Sequence, residues 1–193
     1  MPVSQARTKR WTRLEYERLI DLGAFAPEDR LELLAGQLVV REPQEGRPHS
    51  TGIRLVAGTL RAAFGPDWNI EAQLPIALDE ESEPEPDVAV VAGGPRDYLA
   101  SHPTRPALVV EIALSSLALD RGEKASIYAR AGVADYWIVN LVDNLLEVYR
   151  EPQADPDAPY GWRYGSTATL RRGDAVTPLA LQHWSIPVSD LLL

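Results

Sequence analysis

Two apolar runs decide the fold of this chain, Pro84-Glu-Pro-Asp-Val-Ala-Val-Val91 and Leu108-Val-Val-Glu-Ile112. Each predicts a buried strand, because short continuous aliphatic runs are typical of strands covered on both faces. A carboxylate adjoins or interrupts each aliphatic segment: Asp87, after Glu85 and Pro86, directly precedes Val88, and Glu111 lies inside the second run. Burying an ionised carboxylate is costly unless a cation or hydrogen-bond donor compensates it. The two runs therefore predict a polar site built into a sheet.

Helical and strand patterns alternate on both sides of these runs. A capping box at residues 12–15 predicts a helix ended by Gly23, with an apolar face of Leu14, Leu19, Ile20 and Leu22. Short runs around Ala35-Gly36 predict a hairpin, residues 43–48 a loop, and residues 79–85 a solvated acidic loop. We predict an α/β fold (an α+β mixed sheet) that forms one domain over residues 1–193, with a central mixed sheet flanked by helices. The remaining predicted helices are 50–64 and 120–131, the remaining strands are 68–78, 136–140, 145–150, 162–170 and 176–181, and 151–161 is predicted as a loop.

Composition limits the classes of protein that this chain fits. It has 193 residues, of which 45% are hydrophobic, a net charge of −9 and no cysteine. These values favour a globular protein of a reducing cytoplasm and exclude disulfides, thiolate nucleophiles and cysteine metal sites. No apolar run is long enough to predict a membrane helix. The negative net charge argues against non-specific binding to nucleic acid or anionic lipid.

The two strand carboxylates suit a hard metal ion. Oxygen ligands with room for water are those that Mg²⁺ and Mn²⁺ prefer. Lys124 follows 13 residues after Glu111, and only Lys9 and Lys124 among the 19 basic residues are lysine. An Asp, a Glu and a nearby Lys match metal-assisted phosphodiester hydrolysis. Structural roles stay open: a strand-initiating Asp87 bonded to backbone amides, a Glu111–Arg ion pair, and a surface Lys124.

The run PEPDVAVV…LVVEIALSSLALDRGEKASIYARAGVADYWIVN resembles the Uma-type family of bacterial endonucleases, in the PD-(D/E)XK restriction-endonuclease-like superfamily. The segments RWTRLEYERLIDLG, RLELLAGQLVV, RPHS and SIPVSDLL extend the resemblance over nearly the whole chain. The resemblance implies a restriction-endonuclease-like core. It also implies an Mg²⁺-dependent endodeoxyribonuclease (with Mn²⁺ as substitute) that hydrolyses nucleic-acid phosphodiester bonds, with DNA as the expected partner.

Residue roles follow from the resemblance at matching positions. Asp87 and Glu111 are the implied metal ligands, and the backbone carbonyl of Ile112 is a further implied contact. Relatives often carry a polar residue near position 114, where this chain has Leu114. The rim of the site is therefore expected to differ from that of its relatives.

The basic and supporting residues of the site follow in the same way. The superfamily pattern puts a lysine two residues after the second ligand, where this chain has Ala113. The catalytic lysine is therefore expected at Lys124, in the following helix. Glu32 is implied as an additional acid, and Asp120 and Tyr128 as supporting groups. His49 is interpreted as a helix-capping residue that could also donate to a phosphate.

Two other functions fit the same residues. One is a catalytically inactive nuclease-derived binding or regulatory module. The other is a hydrolase that uses Asp87 and Glu111 as an acid–base pair without metal, which full activity in EDTA would favour. A homodimer is a further hypothesis, because two sites are needed to cut both strands together and the apolar residues 191–193 could join an interface.

Overall fold

The computed structural model describes residues 8–26, 29–40 and 46–193. Its centre is a mixed sheet of strands β3 to β8, which lie side by side in chain order. The neighbours β5 and β6 are parallel, and the other neighbouring pairs of this sheet are antiparallel. The predicted mixed sheet is therefore confirmed. The strands are β3 Trp68–Ala72, β4 Val88–Ala92, β5 Leu108–Ala113, β6 Asp135–Asn140, β7 Leu145–Ala154 and β8 Trp162–Leu170.

Helices and two small hairpins surround this sheet. The parallel pair β5 and β6 needs a crossover, which a helical segment with a central π-helical stretch provides. The first hairpin contains β1 and β2, and a second, near the C-terminus, pairs β9 with β10. The elements are α1 Arg13–Asp21, β1 Leu31–Leu34, β2 Gln37–Val40, α2 Gly46–Phe64, α3 Leu117–Leu119, the π-helical stretch Asp120–Lys124, α4 Ala125–Arg130, β9 Ala175–Val176 and β10 Ile186–Pro187.

Different helices cover the two faces of the central sheet. On one face α2 packs closely, because a Cβ added to Gly52 would stand only 3.0 Å from Cγ2 of Ile112 in β5. On the other face α4 packs against apolar side chains of β4, β5 and β6. Successive side chains of a strand point to opposite faces, so Glu111 points to the α4 side while Ile112 points to α2.

Helix α1 does not pack through the apolar face that was predicted for it. The capping box is present, since Thr12 and Glu15 exchange hydrogen bonds at the start of α1. The predicted face was wrong: Leu14 is 75% exposed and Leu22 is 71% exposed. The buried residue of α1 is Tyr16, whose hydroxyl donates to the carbonyl of Leu31. A hydrogen bond from Tyr16 therefore attaches α1 to β1, and packing of its leucines does not.

The acidic segment after β3 is partly buried, so its interpretation as a solvated loop was wrong for Ser82 and Glu83. Ser82 and Glu83 are buried, and the backbone N–H of Glu83 donates to the carbonyl of Leu33. Asp79 pairs with Arg130 of α4 at 2.8 Å. The segment thereby fastens the β1–β2 hairpin and α4 to the central sheet.

Other boundaries shift for local reasons. Helix α2 begins at Gly46 rather than near residue 50. Strand β7 continues to Ala154, where a loop was predicted. Beyond Arg150 this strand has β8 on one side only, so Pro152 lies where a missing N–H costs no ladder bond. The expected strand 176–181 is confined to Ala175–Val176. Residues 41–45, which held the first half of the predicted loop before α2 and the end of the predicted hairpin, lie outside the described residues.

The C-terminal leucines pack inside this chain. Leu191 and Leu192 are buried in the core beneath α2. They are therefore not the free surface on which the homodimer hypothesis relied. Leu193 is 42% exposed.

No helix in the described part of the chain is both long enough and apolar enough to cross a membrane.

Candidate active site

The four side chains predicted for the site meet where β4 begins and β5 ends. Asp87 directly precedes β4, Glu111 lies within β5, Lys124 ends the π-helical stretch, and Glu32 lies in β1. Each is between 1% and 6% exposed. The hairpin, the sheet and the crossover helix therefore each contribute to one buried polar cluster.

The ammonium group of Lys124 lies between two carboxylates. Its Nζ is 3.0 Å from Oε1 of Glu111 and 3.5 Å from Oε2 of Glu32. Only 7% of the Lys124 side chain is exposed, so this residue is not a surface lysine. Attraction to two acids offsets the cost of burying the ammonium, and it holds the β1–β2 hairpin against the crossover helix.

Contacts of both its side chain and its backbone N–H hold Asp87 in place. Its Oδ2 accepts the backbone N–H of Ile112 at 2.9 Å and lies 3.1 Å from Nε2 of His49. Its own backbone N–H donates to Oε2 of Glu111 at 3.3 Å. Burial opposes ionisation, but the hydrogen bond and charge of His49, with smaller effects from Ile112 and Lys124, hold the pKa of Asp87 below its usual value. The two strand carboxylates are thus tied to each other through the backbone.

His49 belongs to this cluster, although sequence reasoning treated it as a helix cap. It is 7% exposed and lies near the start of α2. Because an ionised carboxylate only accepts, Nε2 is the donor to Asp87. The signal that could have found it is its place on the buried face of α2, in line with Gly52, Ile53 and Val56.

Tyr128 fixes the orientation of Glu111. Its hydroxyl donates to Oε1 of Glu111 at 2.7 Å, the same oxygen that Lys124 approaches. Burial, followed by the charge of Glu111, raises the pKa of Tyr128 well above its usual value, so the hydroxyl keeps its proton and remains a donor. Its ring packs against that of Tyr136, with centroids 4.9 Å apart.

The π-helical stretch brings a further acid into the interior. Asp120 is 1% exposed, and its Oδ2 accepts the hydroxyl of Ser116 at 2.6 Å. Burial and then the charge of Glu111 raise the pKa of Asp120 to about 7. A π-helical turn inserts an extra residue into a helix and is frequent at functional sites. Here Asp120 and Lys124 are the two ends of that stretch, and both are buried.

The family of this chain is given by its match to a protein-family model. The model of Uma2, described as "Putative restriction endonuclease", matches residues 14–189. The chain belongs to the Uma2 family. The resemblance noted in the sequence is therefore confirmed, and the matched region contains every residue of the buried cluster.

The fold of this Uma2 protein is also found in a solved structure. A "putative nuclease belonging to DUF820" from Anabaena variabilis ATCC 29413 matches it with a TM-score of 0.69 and 16% identity. The match covers 93% of this chain and 96% of that one. At this identity the likeness shows a shared fold. The comparison with curated proteins gives no match.

The lysine of the buried cluster, Lys124, lies in the crossover helix rather than in β5. Ala113, where the superfamily pattern has lysine, is buried against α4. Of the residues expected to hold metal, the structure places Asp87 and Glu111 side by side and directs the amide of Ile112 at Asp87. Among the described residues, no three His, Asp or Glu side chains are grouped as a metal-binding cluster.

A second buried acid on the same sheet face has a different environment. Glu111 pairs in register with Ile138, and Ile138 pairs with Glu147, so the two glutamates lie in one row. Glu147 accepts two hydrogen bonds from the guanidinium of Arg121 and one from the Asn140 amide. Burial raises its pKa, but Arg121 and Asn140 outweigh this effect and lower it. The carboxylate of Glu147 is thus fully used in an ion pair and a hydrogen bond. Since it is buried on the same sheet face as Glu111, it provides a matched control for that residue.

Proposed function

We propose that this Uma2 protein is a divalent-metal-dependent endonuclease that hydrolyses phosphodiester bonds of DNA, with Mg²⁺ as the resident ion. The observation that carries the proposal is the convergence of Asp87, Glu111 and Lys124 in one buried cluster. Membership of a family described as restriction endonucleases supports the same reaction class.

The donor set fits a hard divalent cation. Glu32, Asp87, Glu111 and Asp120 are all buried, and the basic groups in contact with them within the described residues include Lys124 and His49. Mg²⁺ usually takes one or two protein carboxylates and completes its shell with water and substrate phosphate. Two adjacent carboxylates in an acid-rich interior therefore suit it, with the carbonyl of Ile112 as a further ligand.

Asp87, Glu111 and the Ile112 carbonyl would hold the ion. When bound, the ion lowers the pKa of a coordinated water and neutralises charge on the scissile phosphate. Lys124 would donate to the attacking water and to the phosphate oxygens on which charge develops. Glu32, next to Lys124, would accept a hydrogen bond from that water. His49 and Tyr128 hold the two carboxylates in place by donating to them.

The test compares Mn²⁺ binding and DNA cleavage in matched variants. Calorimetric titration with Mn²⁺ is run on the wild type, Glu111→Gln and the control Glu147→Gln, because both glutamates are buried on the same sheet face. The proposal predicts saturable binding that is lost in Glu111→Gln and retained in Glu147→Gln. Supercoiled plasmid DNA should be nicked in Mg²⁺ by the wild type and the control, and left intact in EDTA.

Each alternative function has its own outcome in this test. Metal binding without cleavage of any nucleic acid would overturn the nuclease proposal in favour of a binding module. Full hydrolytic activity in EDTA would overturn the metal-dependent mechanism in favour of an acid–base pair.

A further inference from the structure

The outer face of α2 carries a row of arginines. Arg47, Thr51, Arg54, Gly58 and Arg61 are all exposed and recur every three or four residues. At about 100° per residue, the three arginines lie within an arc of about 40°. With a rise of about 1.5 Å per residue, successive arginines are about 10 Å apart along the helix axis. We call these five residues the α2 face.

The arginines of the α2 face have no acidic partner within the described parts of the chain. Arg54 reaches only the hydroxyl of Thr51, and Arg61 the carbonyl of Ile70, each at 3.4 Å. Helix α2 contains no Asp or Glu. By contrast, Arg121, Arg130, Arg150 and Arg163 each pair with a carboxylate. In a chain of net charge −9, the α2 face is therefore an uncompensated basic surface.

The glycine in this row has no packing role. A Cβ added to Gly52, on the buried side of α2, would meet Ile112 at 3.0 Å, whereas one added to Gly58 would meet nothing within 4 Å. A glycine inside a helix costs about 1 kcal/mol relative to alanine. Between Arg54 and Arg61, it leaves a gap through which another molecule's backbone can approach the helix closely.

One end of the α2 face lies near the candidate active site. Arg47 precedes His49 by two residues, about 3 Å along the helix axis and about 200° around it, and the ring of His49 contacts Asp87. Arg47 therefore points to the opposite side of α2 from the site. From Arg47 the row extends for about 21 Å along the helix to Arg61. A nucleic acid cleaved at the site would reach this row by passing round the start of α2.

We propose that the α2 face binds the phosphate backbone of the nucleic acid that is cleaved at the site, an inference that rests on the proposed function. Guanidinium groups pair with phosphate oxygens in a bidentate manner, and such contacts position a strand without reading its sequence. This row of arginines would allow a protein of negative net charge to bind a polyanion, because binding requires a positively charged surface where the phosphates lie and not a positive net charge.

The experiment measures DNA affinity as a function of salt. A fluorescein-labelled 30-base-pair duplex is titrated with full-length protein in EDTA, and anisotropy gives Kd at several NaCl concentrations. The variant Arg54→Ala/Arg61→Ala removes two arginines of the α2 face. The control Arg96→Ala/Arg105→Ala removes two exposed arginines outside α2. Each lost phosphate contact lowers the slope of log Kd against log salt by about 0.9 on a duplex.

The α2 variant is expected to lose up to about 1.8 of this slope and to bind at least 10-fold more weakly at low salt. The control and the wild type should agree. Gly58→Gln, which keeps the charge and fills the gap, should also weaken binding. Mn²⁺ affinity and Tm should stay at wild-type values in the arginine variants.

Two results would overturn the inference. An unchanged salt slope in Arg54→Ala/Arg61→Ala, or an equal loss of slope in the control, would show that the α2 face does not bind DNA. The proposed function would be unaffected by either result. If the wild type binds Mn²⁺ but binds neither duplex nor single-stranded DNA at low salt, two claims are overturned. These are the DNA-binding role of the α2 face and the proposal that DNA is the substrate.

Discussion

Nε2 of His49 lies 3.1 Å from Oδ2 of Asp87, and both side chains are buried. This contact links α2, on one face of the sheet, to the carboxylate at the start of β4. It depends on the close approach of α2 to β5 at Gly52. The position of a helix thus sets the orientation of a proposed metal ligand.

Replacing His49 is expected to weaken the proposed metal site. His49→Phe keeps an aromatic ring but removes the donor to Asp87, so Mn²⁺ affinity and cleavage rate should fall by about 10–100-fold. His49→Gln, whose amide can donate, should recover part of this loss. Calorimetry and a plasmid-nicking assay measure the two effects. The exposed residue His183 provides the control, His183→Ala. Equal Mn²⁺ affinity in His49→Phe and the wild type would exclude a positioning role.

Removing the ammonium of Lys124 should affect both stability and catalysis. Lys124→Met removes the ammonium that lies between the buried carboxylates of Glu32 and Glu111, which is expected to cost about 3–5 kcal/mol of unfolding free energy in EDTA. Mn²⁺ should restore part of that stability by replacing the lost charge. The cleavage rate should fall by about 10²–10³-fold, as on loss of one donor to a developing oxyanion.

Thermal unfolding with and without Mn²⁺ tests the stability effect, and Lys9→Met is its control. Lys9 pairs with Glu15 at the surface, so its replacement should change stability by less than about 1 kcal/mol. A Lys124→Met protein that is fully stable in EDTA would contradict a structural role for the ion pair.

Two glycines of α2 should respond to alanine in opposite directions. Gly52→Ala pushes a Cβ against Ile112, so we expect a loss of about 1–3 kcal/mol from overpacking. Gly58→Ala meets no atom and improves helix propensity, so it should gain about 0.5–1 kcal/mol. Urea denaturation of the two variants measures both changes. A destabilised Gly58→Ala would show that the exposed side of α2 is packed against something in solution.

The stability contribution of Glu83 should depend on pH. Burial, followed by the neighbouring Glu17 carboxyl, raises the pKa of Glu83 to about 7 from 4.5. Because the folded pKa is raised, the unfolded state releases the proton first, and stability is lost as pH rises from about 4.5 to 7. Glu83→Gln removes this ionisation, so its Tm should exceed that of the wild type at pH 8 by about 2–4 °C per kcal/mol regained.

The gain in Glu83→Gln should vanish near pH 4, where the wild-type carboxyl is protonated in both states. Glu80→Gln, an exposed neighbour, is the control and should show no such pH dependence. A Glu83→Gln Tm that is unchanged at pH 8 would rule out the raised pKa.

Local patterns predicted much of the fold. The aliphatic runs that contain Asp87 and Glu111 correspond to β4 and β5, and Thr12 and Glu15 form the predicted capping box. Two of the failures share one cause. Tyr16 replaces the leucine face of α1, and Glu83 is buried in a segment that its charge marks as solvated, because both depend on contacts with the distant β1–β2 hairpin.

The sequence by itself determined the family, the strands that carry two buried carboxylates, and the residues to examine, because these depend on short-range order along the chain. Only the tertiary structure decided that Lys124 reaches Glu32 and Glu111, that His49 holds Asp87, and that Tyr128 holds Glu111. These contacts join residues 13 to 92 positions apart. Their distances depend on how closely α2 and α4 pack on the sheet, and close packing is set by the fit of the whole core rather than by any local pattern.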